Sequence, residues 1–321
     1  MKQPIRLTAF ALSVIFALGF TACSNSQNDT TYSVGICQLN QHAALDDATR
    51  GFMDALESAL PGQVKFDHQN ASNEIAQCST IVNQFIAEDV DLILANATPA
   101  LQAAAAATNE IPVLSTSITE YSAALDVQLT NGIVGGNISG TSDLTPPDEQ
   151  ARMVQAWFPN AKNIGLLYCS AEANSQYQIE SVQAELEQLG YACTLFPFTD
   201  SNDLFSVVEG ATETSDVIYT PTDNTVAANA TIIDNVCRPA GIPVIGGDMG
   251  ICSACGVAAL CIDYYQLGFA TGEMAAKILT GEADISEMPI QYTEPSYVYN
   301  AEICADLGLT PPAGYTAIDA E

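Results

Sequence analysis

What the chain has least of is positive charge. Its 321 residues include 8 Lys plus Arg against 38 Asp plus Glu, a formal net charge of −30. So few cations cannot assemble a basic face, which excludes nucleic acid as a partner. The acidity itself reads as a solvated, self-repelling surface and does not set the sign of a ligand. Histidine is equally scarce, with His42 and His68 alone. The Cys252-Ser-Ala-Cys255 pair therefore lacks companions for a four-ligand zinc site, and no metal or other cofactor is expected; a local disulfide and unpaired thiols both remain open there. Enzyme signatures are missing too. There is no Gly-x-Ser-x-Gly elbow, no phosphate loop and no Gly-x-Gly-x-x-Gly after a strand, which argues against catalysis.

Long apolar runs are also absent, save one. Lys2 and Arg6 precede an apolar stretch from Leu7 to Phe20, followed by Thr21-Ala22-Cys23. A basic start, a short apolar core and small residues at the cut predict a secretory signal over residues 1–23 rather than a membrane span. Cysteine directly after that cut resembles the bacterial lipobox, although Phe20 stands where Leu is usual. The expectation is lipidation of Cys23, which would anchor an exported protein to the outer face of the cell membrane. Residues 24–31 are polar and read as a flexible tether. Nine of the ten cysteines follow Cys23. Most, such as Cys37, Cys169, Cys193 and Cys261, sit in apolar runs where a free thiol behaves as a small buried hydrophobe.

The chain as a whole is 48% hydrophobic, ample for a core, and long enough for two domains of ordinary size. Short apolar runs bounded by turn residues read as buried parallel strands: Tyr32–Leu39, Val64–Asn70, Asp91–Leu94 and Ile111–Ser117, with helical spacing over Asp46–Leu60 and Asn73–Glu88 between them. Strict alternation of strand and helix predicts a doubly wound parallel sheet. The second half repeats the series. Asn163–Cys169 echoes Ser33–Gln38, Asp216–Tyr219 echoes Asp91–Leu94, and Ile242–Asp248 echoes Ile111–Ser117, at offsets of 130, 125 and 131 residues. Three echoes in order predict two similar lobes. The Gly- and Ser-rich stretch Asn131–Asp143 reads as a flexible crossing between them, with further crossings near Asp263 and near Tyr292–Glu294. The expected lobes are 32–140 plus 264–291 and 141–263 plus 292–321. Lobes joined by several crossings form a hinge that closes on ligands. Ligands of open α/β sheets lie beyond the carboxyl ends of the strands, where Thr222-Asp223-Asn224 and Thr98-Pro99 fall.

Six ordered segments then resemble one family: Gln41–Asp46, Ala97–Ala100, Gly136–Asp143, Glu172–Ser175, Pro221–Thr225 and Ile262–Gly268. They are similar to the lipoprotein substrate-binding components of ABC importers, of the tryptophan/tyrosine-type branch. Ala43 departs from the Pro usual there, and the Cys252–Cys261 stretch is not a family signature. The resemblance implies a type I periplasmic-binding-protein fold, an amino acid as ligand, most often aromatic, and an ABC permease with its ATPase as partners, the receptor acting as a monomer. A ligand-sensing lipoprotein serving a membrane receptor is the alternative.

An amino acid asks a cleft for three things. Its ammonium needs carboxylates and neutral acceptors, for which Asp223 with Asn224, Asp143 and Asp248 are candidates. Its carboxylate needs N–H donors, offered by the helix start at Thr98–Leu101, with hydroxyls at Thr98, Ser115, Thr116 and Ser142. An aromatic ring needs an apolar wall, for which Leu39, Tyr168 and Tyr219 are candidates. His42, Asn174, Ser175 and Thr222 complete the expected lining. Asp223, Asn224 and Asp143 have a plainer reading as helix caps or turn residues, and His42 as a helix-start residue.

Overall fold

The computed structural model describes residues 31–318; the expectations for the signal segment, for Cys23 and for most of the tether lie outside them. In chain order the elements are β1 (Tyr32–Gln38), α1 (Ala43–Ala59), β2 (Val64–Asn70), α2 (Ile75–Ala87), β3 (Leu92–Asn96), α3 (Thr98–Ala107), β4 (Val113–Ile118), α4 (Tyr121–Leu125) and β5 (Ile138–Ser142). Then come α5 (Pro147–Trp157), β6 (Asn163–Cys169), α6 (Ala173–Gln188), β7 (Ala192–Phe198), α7 (Ser201–Thr214), β8 (Val217–Tyr219), α8 (Asn224–Ala240), β9 (Val244–Gly246), α9 (Met249–Ala254) and β10 (Ala258–Cys261). The chain closes with α10 (Tyr264–Leu279), β11 (Gln291–Tyr292), β12 (Ser296–Tyr299), α11 (Ala301–Asp306) and β13 (Thr316–Ala317).

Two sheets form. The first runs β11-β5-β4-β3-β1-β2 and is parallel throughout. The second runs β13-β12-β10-β9-β8-β6-β7, with β12 antiparallel to β10. Strands β2-β1-β3-β4-β5 and β7-β6-β8-β9-β10 have the same order, so the echo in the sequence is an echo in topology. Each sheet is buried on both faces, as the two-residue period requires. Ile93 and Ala95 of β3 face a cluster with α2 and α3, while Leu92 and Leu94 face another with α1 and α10. In the second sheet, Val217 and Tyr219 of β8 face α5 and α6, and Ile218 faces α7 and α8.

The chain passes between sheets three times: after β5, between β10 and α10, and between β11 and β12. α10 returns to lie along α1, and a side chain at Gly268 would collide with the carbonyl oxygen of Ala48. The stretch Asn131–Asp143 differs from its expected role. Instead of a flexible crossing it contains β5, buried between β4 and β11. Its Gly140, at φ +150°, lies against the backbone of Ser115 and the hydroxyl of Tyr121. Glycine marks a close backbone approach here rather than freedom. The stretch Gln291–Tyr299 forms two strands in different sheets, because Thr293–Pro295 is the third crossing. All nine described cysteines are free, so Cys252 and Cys255 do not pair.

Candidate functional site

The carboxyl ends of both sheets face one another across the seam between lobes. There His42, Leu45, Ser117, Thr119, Asp143, Asn174, Thr222, Asp223, Asn224, Asp248 and Tyr264 line a closed cavity. Its free space is about 10 Å³, room for about one water. The lobes are thus drawn tightly together. His42 Nε2 lies 3.3 Å from Asn224 Oδ1, and Gln178 Nε2 donates to Thr119 Oγ1 at 3.4 Å, both across the seam.

Each acidic side chain reaches the cavity because a turn ends a strand and begins a helix. Asp248 caps α9, its Oδ1 accepting from the Ile251 amide at 2.8 Å. Asp223 caps α8 through Val226 at 2.9 Å and accepts from the Cys169 amide at 2.7 Å. Asp143, on the first crossing, accepts from the Tyr264 hydroxyl at 2.8 Å and so ties the first crossing to the second. The capping reading of Asp223 is therefore correct, and both its oxygens are occupied. Asp143 Oδ1, Asp248 Oδ2, Asn174 Oδ1 and Ser117 Oγ find no partner among the described residues, although all four are buried. A buried polar atom left unmatched costs about 1–3 kcal/mol, so four in one cavity are the mark of a binding surface. Three are pure acceptors.

Burial pushes Asp143 up to about 6 against the opposing pull of the Tyr264 and Thr119 hydroxyls. It pushes Asp223 up to about 8, aided by the nearby Glu172 carboxylate and opposed by the amides of Cys169 and Val226. Asp248 is raised by burial too, with His42 pulling the other way. No Lys or Arg lines the cavity. No three Asp, Glu, His or Cys side chains are placed to share a metal ion among the described residues.

Seven expected residues meet here: His42, Asp143, Asn174, Thr222, Asp223, Asn224 and Asp248. Eight lie outside the cavity lining, among them Tyr168, which packs against the second lobe's core. Leu39 belongs to the first lobe's core and touches only a separate groove beside Ser72–Ala76. Tyr219 points into the second lobe's core, because its place in β8 turns it toward α5 and α6. Ser115 bonds to Tyr121 and to the Ser139 carbonyl, Thr116 accepts from Thr141, and Ser142 donates to the Thr119 carbonyl. Ser175 accepts from Asn174. Thr98 is buried at the start of α3, where the amides of Ala100 and Leu101 already donate to Ala97. That helix start is not a free anion site.

Ser117, Thr119, Leu45 and Tyr264 were not expected. The 131-residue offset maps Ser117 onto Asp248, so the echo itself carried the signal. At Ser117 the backbone is left-handed, φ +59°, and β4 shifts register against β5 between Ser115 and Ile118. Tyr264 sits in Ile262–Gly268, at the crossing placed near Asp263.

Residues 33–314 match the family described as ABC transporter substrate binding protein. The tyrosine-binding protein of Clostridioides difficile (strain R20291) is 34% identical over 262 residues, covering 80% of this chain and 75% of that protein. The structure of an ABC domain in complex with L-Trp from Streptococcus pneumonia is 31% identical and superposes with a TM-score of 0.85, over 90% of this chain and all of that one. The ligand-free, open structure of a substrate-binding protein with adhesive properties from Clostridium difficile is 33% identical, over 91% of this chain and all of that one, yet its TM-score is 0.69. At similar identity, this chain superposes better on the tryptophan complex than on the open form. The chain belongs to the family of ABC transporter substrate-binding proteins.

Proposed function

We propose that this protein is the extracytoplasmic receptor of an ABC importer, closing its lobes around an aromatic amino acid and handing it to the permease. The single observation that carries the reading is the closed interlobe cavity, with unmatched buried acceptors on Asp143, Asn174 and Asp248 and no Lys or Arg in its lining. An α-ammonium would donate to these acceptors. Ser117 and Thr119 offer the first lobe's neutral hydrogen-bonding groups, and Leu45 with the Tyr264 ring offers apolar surface. Relatives that bind tyrosine and tryptophan support the aromatic side chain. A cavity of about 10 Å³ is smaller than such a ligand, so entry requires the lobes to part and re-form around it, as hinged receptors do. Anchoring through a lipidated Cys23 would hold the receptor beside its permease. The sensing alternative shares this site and differs only in the membrane partner.

The test is a melting-temperature screen of residues 24–321 against the twenty amino acids. A ligand of the folded state stabilises it by about 2.7 kcal/mol at a hundredfold excess over Kd. Tyrosine, tryptophan or phenylalanine should raise Tm by several degrees. A shift with other solutes alone would contradict the aromatic assignment.

A further inference from the structure

Glu172 is the N-cap of α6, yet its side chain caps none of that helix's amides and accepts there from Asn174 Nδ2 at 3.3 Å. Its carboxylate, buried at 4% exposure, turns instead to the start of α8. Oε2 accepts from the Asn224 amide at 3.1 Å and from Asn224 Nδ2 at 2.6 Å. Oε1 accepts from the Thr225 amide at 2.9 Å and from the Thr225 hydroxyl at 2.8 Å. Four bonds to two adjacent residues fix both their backbone and their side-chain directions. Those two side chains reach the other lobe. Asn224 Oδ1 meets His42 at 3.3 Å, and Thr225 Oγ1 accepts from Asn73 Nδ2 at 3.1 Å. The first lobe presents Asn73 from a pair of successive left-handed residues, Ser72 at φ +54° and Asn73 at φ +64°, a conformation that non-glycine residues adopt at a cost.

We propose that Glu172 is the positioning residue of the closing latch: it holds Asn224 and Thr225 so that they bond His42 and Asn73 only when the lobes are shut. The proposal rests on the receptor reading above. Glu172 does not itself line the cavity, so its part in closure is played through the residues it holds. A ligand meets the open form first, before the latch exists, so the latch governs departure and leaves arrival unchanged. In the Gln variant the amide nitrogen would face donors at one end of the side chain, and because Asn224 and Thr225 are adjacent, loosening one loosens both bonds across the seam.

The experiment is stopped-flow measurement of association and dissociation rates with tyrosine and tryptophan for the wild type, Glu172→Gln, Asn73→Gly and the double variant. Asn73→Gly removes the latch tip at a left-handed position that glycine favours, so it keeps the proposal testable if Glu172→Gln folds poorly. Dissociation should accelerate about 30-fold in Glu172→Gln and about fivefold in Asn73→Gly, with association within about twofold of wild type. The double variant should dissociate at about the rate of Glu172→Gln alone, since the bond that Asn73 makes is already lost when Glu172 no longer holds Thr225. Loss of affinity through slower association, strictly multiplicative effects in the double variant, or an unchanged dissociation rate in Asn73→Gly would each overturn the latch. A wild type that binds neither amino acid would overturn the receptor reading itself.

Discussion

The two lobes share a strand order but not a chemistry where they meet. In the second lobe, Glu172 and Asp223 receive the first three amides of α8, and Asp248 receives one from α9. At the corresponding place in the first lobe, α3 begins after Ala97, at φ +89°, with no side-chain cap, and Ser117 stands where Asp248 stands in the second. The duplication therefore supplies the geometry of a cleft, and acids on one side supply its sign. Helix starts partly offset these charges, which lets the second lobe keep a preformed acidic half. The first lobe brings the neutral half that shuts over it.

Removing charge from the second lobe should have the largest effect. Asp248→Asn is expected to weaken amino-acid binding about 50-fold in calorimetry, the loss of about 2–3 kcal/mol typical of one half of a buried charged hydrogen bond. Asp223→Ala should instead act mainly on stability. It leaves the Cys169 and Val226 amides unmatched, costing about 2 kcal/mol and several degrees of Tm in a thermal melt. Acidity separates folding from binding. Asp143 at about 6 and Asp223 at about 8 hold protons that an unfolded Asp releases near 3.9, so the unliganded fold gains stability as pH falls from 8 toward 6. An ammonium needs Asp143 ionised, so affinity should fall as pH drops through about 6, toward a tenfold loss per unit below it. Kd measured at pH 5, 6, 7 and 8 beside Tm at the same values checks both signs. On the first lobe, Ser117→Ala should cost about 1 kcal/mol of binding, as a neutral hydrogen bond does. Thr98→Ala should leave Kd within about twofold.

The lobes were legible in the sequence because buried parallel strands are apolar runs with turn residues at their ends, and that signal recurs in order. β5 was not, since Gly140 reads as looseness until Ser115 and Tyr121 are seen pressed against it. The polar turns after β8 and β9 pointed to the cavity because they leave the sheet at its carboxyl edge. Ser115 and Thr116 misled for the complementary reason: they lie inside β4, where neighbouring strands and Tyr121 satisfy them. Tyr219 misled because an aromatic residue at the end of an apolar run is as suited to core as to cleft. Glu172 carried no signal beyond its motif, since its partners are more than fifty residues away.

The most direct test of an acidic cavity that reads an ammonium is calorimetric titration of the protein with L-tyrosine and with 3-(4-hydroxyphenyl)propionate, which keeps the ring and the carboxylate and lacks only the amine. The account predicts binding of tyrosine and none of the propionate at pH 7. Equal binding of both would show that Asp143, Asn174 and Asp248 are not the groups that recognise the ligand.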